Sequence, residues 1–505
     1  MTGPLRKILV VGGGTAGWMT ACALNQAVRA GGTVVELVES DDIGTVGVGE
    51  ATVPTIRDFN RGLGLDEVAF IKATQGSFKL GIEFRDWTAT GTAFFHGFGD
   101  YVVNEGPFST LNQWLVARDA QGAAAGTLDD YHMAAVMARA GRFAAPDSDP
   151  RSPLSYFSYA FHFDAGLYAR LLRGRAEAQG VIRHEGRIAT THLDSATGHI
   201  AAVALRDGRR LEADLFVDCS GFAALLTEGA LKVPFVDFGH WLPVDRAWAV
   251  PSAAAGAISP YTQAIAREAG WQWRIPLQHR TGNGYVFSSG HISEEAARER
   301  LMAGLDGRAL AEPRLIRFRT GRRASFWSGN CVAIGLSSGF VEPLESTSIS
   351  LIQGGITRLV NLLPDRGFNP ALAAEYNRIQ ALEFDRIRDF IILHYAGARR
   401  ADTAFWRDIA AMTLPDSLQY KIDTFRETGV VPLRDAETFV TASWQAIMVG
   451  LGMTPTRRDP VLAGMRKAEV LEGMRLRREA LSAAAARLPT HEAFIERFCK
   501  AADLV

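Results

Sequence analysis

Apolar and polar positions change period several times along the chain, and each change marks an element. Lys7 to Val11 is a short apolar run closed by glycines, the pattern of a buried parallel strand. From about Ala16 to Ala30 the period becomes helical, and Gly31-Gly32 stops it. A second apolar strand, Thr33 to Val38, ends at Glu39. Asp214-Leu215-Phe216-Val217-Asp218 leading into Gly221, and Gly329-Asn330-Cys331-Val332-Ala333-Ile334-Gly335, repeat this strand-then-glycine design. After Glu345-Ser346-Thr347 a helical stripe runs through Ile349, Leu351, Ile352, Ile356, Leu359 and Val360, with Ser346 or Thr347 suited to cap it. From about Pro370 the pattern turns helical: Ala371 to His394 sets Tyr376, Ile379, Leu382, Phe384, Ile387, Phe390 and Ile391 on one spacing. A second helical run, about Pro460 to Arg487, is rich in Ala, Leu, Arg and Glu. The fold class expected is α/β with a helical C-terminal region.

Composition narrows the function classes. With 505 residues, 47% of them hydrophobic and 22% charged, the chain can bury a sizeable core. A formal net charge of −1 gives no basic field, so nucleic acid is not an expected partner. Cys22, Cys219, Cys331 and Cys499 lie far apart without CxxC or His pairing, which argues against a metal site and against a disulfide framework. Each reads as a small buried apolar residue in a reducing compartment. The apolar run after Arg6-Lys7 ends after four residues, too short for a secretion signal, and no stretch of ~18 apolar residues follows. A cytoplasmic protein without a membrane partner is expected.

The first chemistry-bearing motif is Gly12-x-Gly14-x-x-Gly17, which leaves a strand and opens a helix through Thr15 and Ala16. Its glycines allow a tight turn, close approach to a pyrophosphate and helix-to-strand packing, while the helix start offers N–H donors to phosphate. Glu39 ends the next strand about 20 residues on, where a ribose hydroxyl needs an acceptor. NAD and FAD share this fingerprint. The returns at Gly221 and Gly335 favour FAD, a long folded dinucleotide that several turns must surround.

Further motifs carry a resemblance. Gly12-Gly13-Gly14-Thr15-Ala16-Gly17-Trp18, Gly47-Val48-Gly49-Glu50-Ala51-Thr52, Lys79, Trp271-x-Trp273-x-Ile275-Pro276 and Pro343-Leu344-Glu345-Ser346-Thr347 resemble the flavin-dependent tryptophan halogenase family. The match covers most of the chain, and WxWxIP is far more specific than GxGxxG. The resemblance implies a Rossmann-like flavin monooxygenase fold. It also implies that, as in such enzymes, a separate flavin reductase supplies FADH2, O2 makes a C4a-hydroperoxide, and chloride or bromide attacks it. The hypohalous acid then travels to an aromatic substrate bound away from the flavin. Residues 1–365 would form the FAD-binding body and 366–505 a helical cover for the substrate, with 104–155 packing against that cover; a homodimer is compatible with this plan.

The resemblance also implies roles. Lys79 receives hypohalous acid, as a haloamine or through hydrogen bonding, and Glu345 orients it or accepts the ring proton. Thr347 and Ser348 stand at the halide-binding backbone positions. Gly12, Gly14, Thr15, Ala16, Gly17, Glu39, Gly49, Glu50, Ala51, Gly335, Leu336 and Ile349 are the FAD positions. Taken alone, Glu50 reads equally well as a solvated surface acid. Trp271 and Trp273 lie near the flavin and keep organic substrate from the oxidant. His96 and Phe98 flank the aromatic ring, and Trp444 belongs to the substrate region. Ser443-Trp444-Gln445-Ala446-Ile447-Met448 lacks the tyrosine pair and acid that hold the charged end of free tryptophan. A neutral indole or phenol, or a side chain of a larger molecule, is therefore the expected substrate. The competing readings are a flavin-dependent aromatic hydroxylase, against which Lys79 and the tryptophan pair speak, and a non-catalytic FAD-binding protein, against which Lys79 and Glu345 speak.

Overall fold

The protein is seen in a computed structural model that describes residues 3–43, 49–102, 106 and 108–503. It divides into two compact units, each assembled from three chain segments. The first takes residues up to Gln75, then Phe163–His240 and Phe318–Asp385; the second takes Gly76–His162, Trp241–Arg317 and Arg386 onward. This partition is not a cut near residue 365. The division falls inside one uninterrupted helix, Pro370–Gly397, whose apolar stripe carries no glycine or proline before its end.

The first unit is built on a six-stranded sheet whose central strands, Lys7–Val11, Leu215–Asp218 and Cys331–Ala333, run parallel and adjacent. Val11 pairs with Asp218, and Asp218 with Ala333, so the three glycine-bearing turns leave the same edge of the sheet. Val34–Glu39 and Ile182–Glu185 extend it on the far side. Runs buried on both faces, such as Ile8-Leu9-Val10-Val11, fit a parallel sheet covered twice. One cover is the antiparallel sheet Ile188–Leu193, Ile200–Leu205 and Arg210–Glu212, whose Val203 and Leu205 pack on Leu9, Val11 and Phe216. The helix Thr15–Val28 packs on the helices Ala165–Ala178 and Ser348–Asn361. It ends at Val28 rather than Ala30, because Arg29–Gly31 tightens into a 3-10 turn closed by left-handed Gly32.

The second unit has a seven-stranded sheet in the order Arg314–Arg317, Arg246–Ser252, Thr281–Phe287, Gly270–Pro276, Thr262–Arg267, Gly81–Arg85 and Ala93–Gly97. All its neighbours are antiparallel except Thr262–Arg267 beside Gly81–Arg85. The helices Thr110–Gln121 and Met133–Arg139 pack on Lys467–Ala486. The run expected from Pro460 is two elements, a 3-10 turn Pro460–Gly464 and then the helix, since Met465 and Arg466 are extended. All four cysteines are buried with free thiols.

Candidate active site

In the first unit, Gly12, Gly13 and Gly17 of the nucleotide turn each have a steric cause. Gly12 sits at φ +111°, and a Cβ there would meet the Cys219 carbonyl oxygen at 2.3 Å. A Cβ on Gly13 would lie 1.5 Å from Glu39 Oε2, and one on Gly17 1.8 Å from the Gly12 oxygen. Gly14 is different: nothing lies within 4 Å of its Cβ position, and it stands at the start of Thr15–Val28, where no side chain caps the helix. Open space before uncapped N–H groups is what a pyrophosphate requires. Glu39 holds its Oε1 against Arg183 Nε at 2.6 Å while Oε2 faces the glycine turn, so the acceptor is fixed in place. The residues therefore fit a dinucleotide.

The other turns close around the same edge. Asp218 is fully buried and its carboxylate accepts from the N–H groups of Ser220, Leu226 and Thr227 and from the hydroxyls of Ser220 and Thr227. Gly335, at φ +79°, would set a Cβ 2.8 Å from that of Ala16, and with Leu336 it opens the 3-10 turn Gly335–Ser337. Gly49, Glu50 and Ala51 form a short strand; Gly47 and Val48 of the same loop lie outside the described residues. Glu50 is not the solvated acid it resembles. The residue keeps part of its surface open, yet its carboxyl is enclosed by protein, and that burial raises it to about 7.

Glu345 is fully buried at the end of the 3-10 turn Pro343–Glu345. Ser346 then takes a left-handed conformation (φ 60°, ψ 34°), a costly one for a residue with a Cβ, and the helix Ser348–Asn361 begins. The cap expected of Ser346 or Thr347 is not formed. The N-cap position falls on Thr347, which follows left-handed Ser346, has helical φ and ψ and makes no capping bond. Its hydroxyl is buried without a hydrogen-bond partner. The helix start at Thr347, Ser348 and Ile349 thus keeps uncapped N–H groups in a mostly buried setting, where an anion is favoured.

In the second unit, Lys79 is fully buried on the three-residue strand Ser77–Lys79, with Nζ 5.0 Å from the centre of the Phe98 ring. Phe98 meets His96 at 6.2 Å, His96 meets Phe390 at 5.9 Å, and Phe390 meets Trp444 at 4.7 Å. Lys79 and Trp444 are thereby joined by one line of rings. Trp444 does not offer an open ring face: it is fully buried, with Lys421 Nζ 4.0 Å from its ring centre. Lys421 is itself paired with Glu437, both side chains about 5% exposed. Burial lowers the Lys421 pKa against the pull of Glu437. Neither residue stands out in sequence, since a lone Lys and a lone Glu 16 positions apart carry no local signal.

Trp271 and Trp273 alternate with Gln272 and Arg274 on the strand Gly270–Pro276, so they share a face, with ring centres 6.1 Å apart. Trp273 lies over Gly284 of the next strand, where a Cβ would sit 2.1 Å from the indole.

A glycine turn that fits a dinucleotide and a buried helix start in one unit, and a buried lysine on an aromatic strip in the other, are the features of a dinucleotide-binding enzyme. Comparison with known proteins gives the family. The tryptophan halogenase family profile matches residues 7–467. The chain is similar to BrvH, a flavin-dependent halogenase from Brevundimonas sp. BAL3 (46% identity, TM-score 0.94, covering 97% of this chain and 99% of that one). It is similar to Xcc4156, a flavin-dependent halogenase from Xanthomonas campestris (44% identity, TM-score 0.95, covering 99% and 100%). Tryptophan 6-halogenase SttH from Streptomyces toxytricini is 39% identical over 489 residues, 90% of this chain and 91% of that one. The chain belongs to the tryptophan halogenase family and is a flavin-dependent halogenase. The hydroxylase and non-catalytic readings find no support in these relatives. No helix among the described residues is long and apolar enough to cross a membrane.

Proposed function

We propose that this enzyme halogenates a neutral, electron-rich aromatic of the indole class, using chloride or bromide, O2 and FADH2 delivered by a separate reductase. Gly12, Gly14 and Gly17, with Thr15 and Ala16, receive the pyrophosphate, Glu39 takes a ribose hydroxyl, and Gly49, Glu50, Ala51, Gly335, Leu336 and Ile349 line the rest of the cofactor. Reduced FAD and O2 supply the oxidising equivalent that converts halide to hypohalous acid. The N–H groups at Thr347 and Ser348 hold the halide. Trp271 and Trp273 exclude the organic substrate from the oxidant.

Lys79 holds the hypohalous acid, and the aromatic ring attacks its halogen. The carbon–halogen bond forms as the halogen–oxygen bond breaks, and the oxygen leaves with a proton as water. The ring carbon then gives up its hydrogen as a proton, and the Glu345 carboxylate orients the acid or takes that proton. His96 and Phe98 bind the ring face. Trp444 contributes to the substrate region through its edge and its packing, given that Lys421 covers its ring.

The observation that carries this reading is the complete burial of Lys79 beside Phe98, a place no ordinary surface lysine takes. The buried Lys421 over the Trp444 ring supports a neutral substrate, because a cation already stands there, paired with one oxygen of Glu437, and disfavours a second ammonium. The test is an indole and phenol panel with flavin reductase, FAD, NADH, O2 and either halide, read by mass spectrometry. Indole is expected to outcompete L-tryptophan and to be substituted at C3, its most electron-rich carbon, because a site that grips only the ring face leaves position to intrinsic reactivity. Preference for L-tryptophan, or substitution on the benzo ring, would overturn the neutral-substrate reading.

A further inference from the structure

We propose that His491 is a positioning residue for Lys79: its ring supplies a hydrogen-bond acceptor to the outer edge of the lysine strand and so fixes where the lysine amino group sits. The inference rests on the reading of Lys79 given above.

Ser77–Lys79 pairs with Ala160–Asp164, Phe78 opposite Phe161 and Lys79 opposite Ala160, and stands at the edge of its sheet. A three-residue edge strand is weak by itself, and its outward N–H groups need acceptors. The Phe78 N–H donates to His491 Nε2 at 3.1 Å, across 413 positions of sequence. The other ring nitrogen, Nδ1, donates to the Ile258 carbonyl at 2.8 Å. Both bonds require a neutral imidazole with its proton on Nδ1. Burial agrees, lowering His491 to about 4.

The imidazole is in turn held by its helix. The His491 backbone N–H donates to the Gly141 carbonyl at 2.9 Å, Phe143 N–H to the Pro489 carbonyl at 3.3 Å and the Arg142 guanidinium to the Leu488 carbonyl at 2.7 Å. Thr490 caps the helix His491–Phe498 on Ala493 N–H. Phe78 is boxed by Phe143 at 4.1 Å and Phe494 at 5.3 Å, so the ring of the residue before Lys79 cannot swing.

A second histidine holds the strand from Ser77, which shares Lys79's face. Ser77 donates to the Pro276 carbonyl at 2.6 Å, and therefore accepts from His162 Nδ1 at 3.0 Å. His162 Nε2 then accepts from Thr262 at 2.9 Å. Two neutral rings hold the two residues that precede the lysine without adding charge near it.

Three variants test this. His491→Phe keeps a ring in the aromatic box and removes the acceptor. His491→Asn places its amide NH2 near the Nδ1 position, where it can still donate to the Ile258 carbonyl, and leaves Phe78 N–H without an acceptor in reach. His491→Gln reaches the Nε2 position and restores the acceptor. Displacing a reacting group by about 1 Å costs on the order of 10²-fold. Halogenated product per FADH2 oxidised is therefore expected to fall on the order of 10²-fold in His491→Phe and His491→Asn, with the rate of flavin oxidation unchanged, and to recover in His491→Gln. Amide exchange, followed without cofactor in a peptide spanning Ser77 to Leu80, should quicken in the first two variants and not in the third. Retained coupling in His491→Phe and His491→Asn, parallel loss of flavin oxidation, or a failure of His491→Gln to restore either readout would overturn the proposal. If the wild-type enzyme halogenates but Lys79 variants do too, the role of Lys79 fails instead, and amide exchange still reports on whether His491 holds the strand.

Discussion

Replacing Lys79 by methionine separates its chemistry from its packing. Lys79 has no exposed surface, so alanine would delete its whole buried stem and open a cavity. Truncations of that size cost about 2–5 kcal/mol, enough to blur a catalytic effect with unfolding. Methionine fills most of the stem's volume, and volume-conserving swaps in cores cost less than about 1.5 kcal/mol. The melting temperature of Lys79→Met should stay within a few degrees of the parent, against a clear drop in Lys79→Ala. If Lys79 holds the hypohalous acid, product should fall at least on the order of 10²-fold, about 2.7 kcal/mol of lost transition-state stabilisation. Oxidation of FADH2 should be unaffected, since Lys79 has no part in the dinucleotide cradle. Stopped-flow absorbance follows flavin oxidation and mass spectrometry follows haloindole from the same samples. Product within tenfold of the parent enzyme would remove Lys79 from the mechanism.

Glu345→Gln should lower product formation by roughly 10²–10⁴-fold, the range for a lost general base, with flavin oxidation spared; parallel loss of both rates would assign Glu345 to the cofactor instead. Gly284→Ala should cost about 1–3 kcal/mol, because its Cβ would lie 2.1 Å from the Trp273 ring and 2.6 Å from the Trp248 oxygen; an unshifted melting temperature and unchanged tryptophan fluorescence would refute that packing. Acid should destabilise the second unit. Burial lowers His132 and His491 from 6.5 to about 4, and His162 well below its usual value, so their contribution is complete above pH 6.5 and is lost as pH falls through about 4. Each of the first two is worth up to about 3 kcal/mol across that window. Asp129, raised to about 6 because burial outweighs its 2.6 Å pair with Arg139, acts in the opposite direction and cancels part of one of them. Melting temperatures at pH 7, 5.5 and 4 should fall, and more shallowly in His132→Gln; a flat profile would mean the rings are hydrated.

Local rules carried the dinucleotide cradle. A strand, glycines at fixed offsets, a helix and an acid 20-odd positions later specify a turn whose contacts are mostly near in sequence, so Gly12, Gly14, Gly17 and Glu39 were legible without coordinates. Resemblance, more than pattern, singled out Lys79 and Glu345, because no local rule tells a buried lysine from a solvated one. The tertiary structure decided what depends on distant partners. Thr347 looked like a cap and is not one, since left-handed Ser346 sets the path into the helix. Trp444 was placed in the substrate region, and only the fold shows that Lys421 lies over its ring. The interleaved units could not be read along the chain, because compactness is set by which segments share a core and one helix serves both. The bond from Phe78 to His491 shows the limit most plainly: an edge strand announces that it needs an acceptor, but only folding decides that the acceptor comes from 413 residues away.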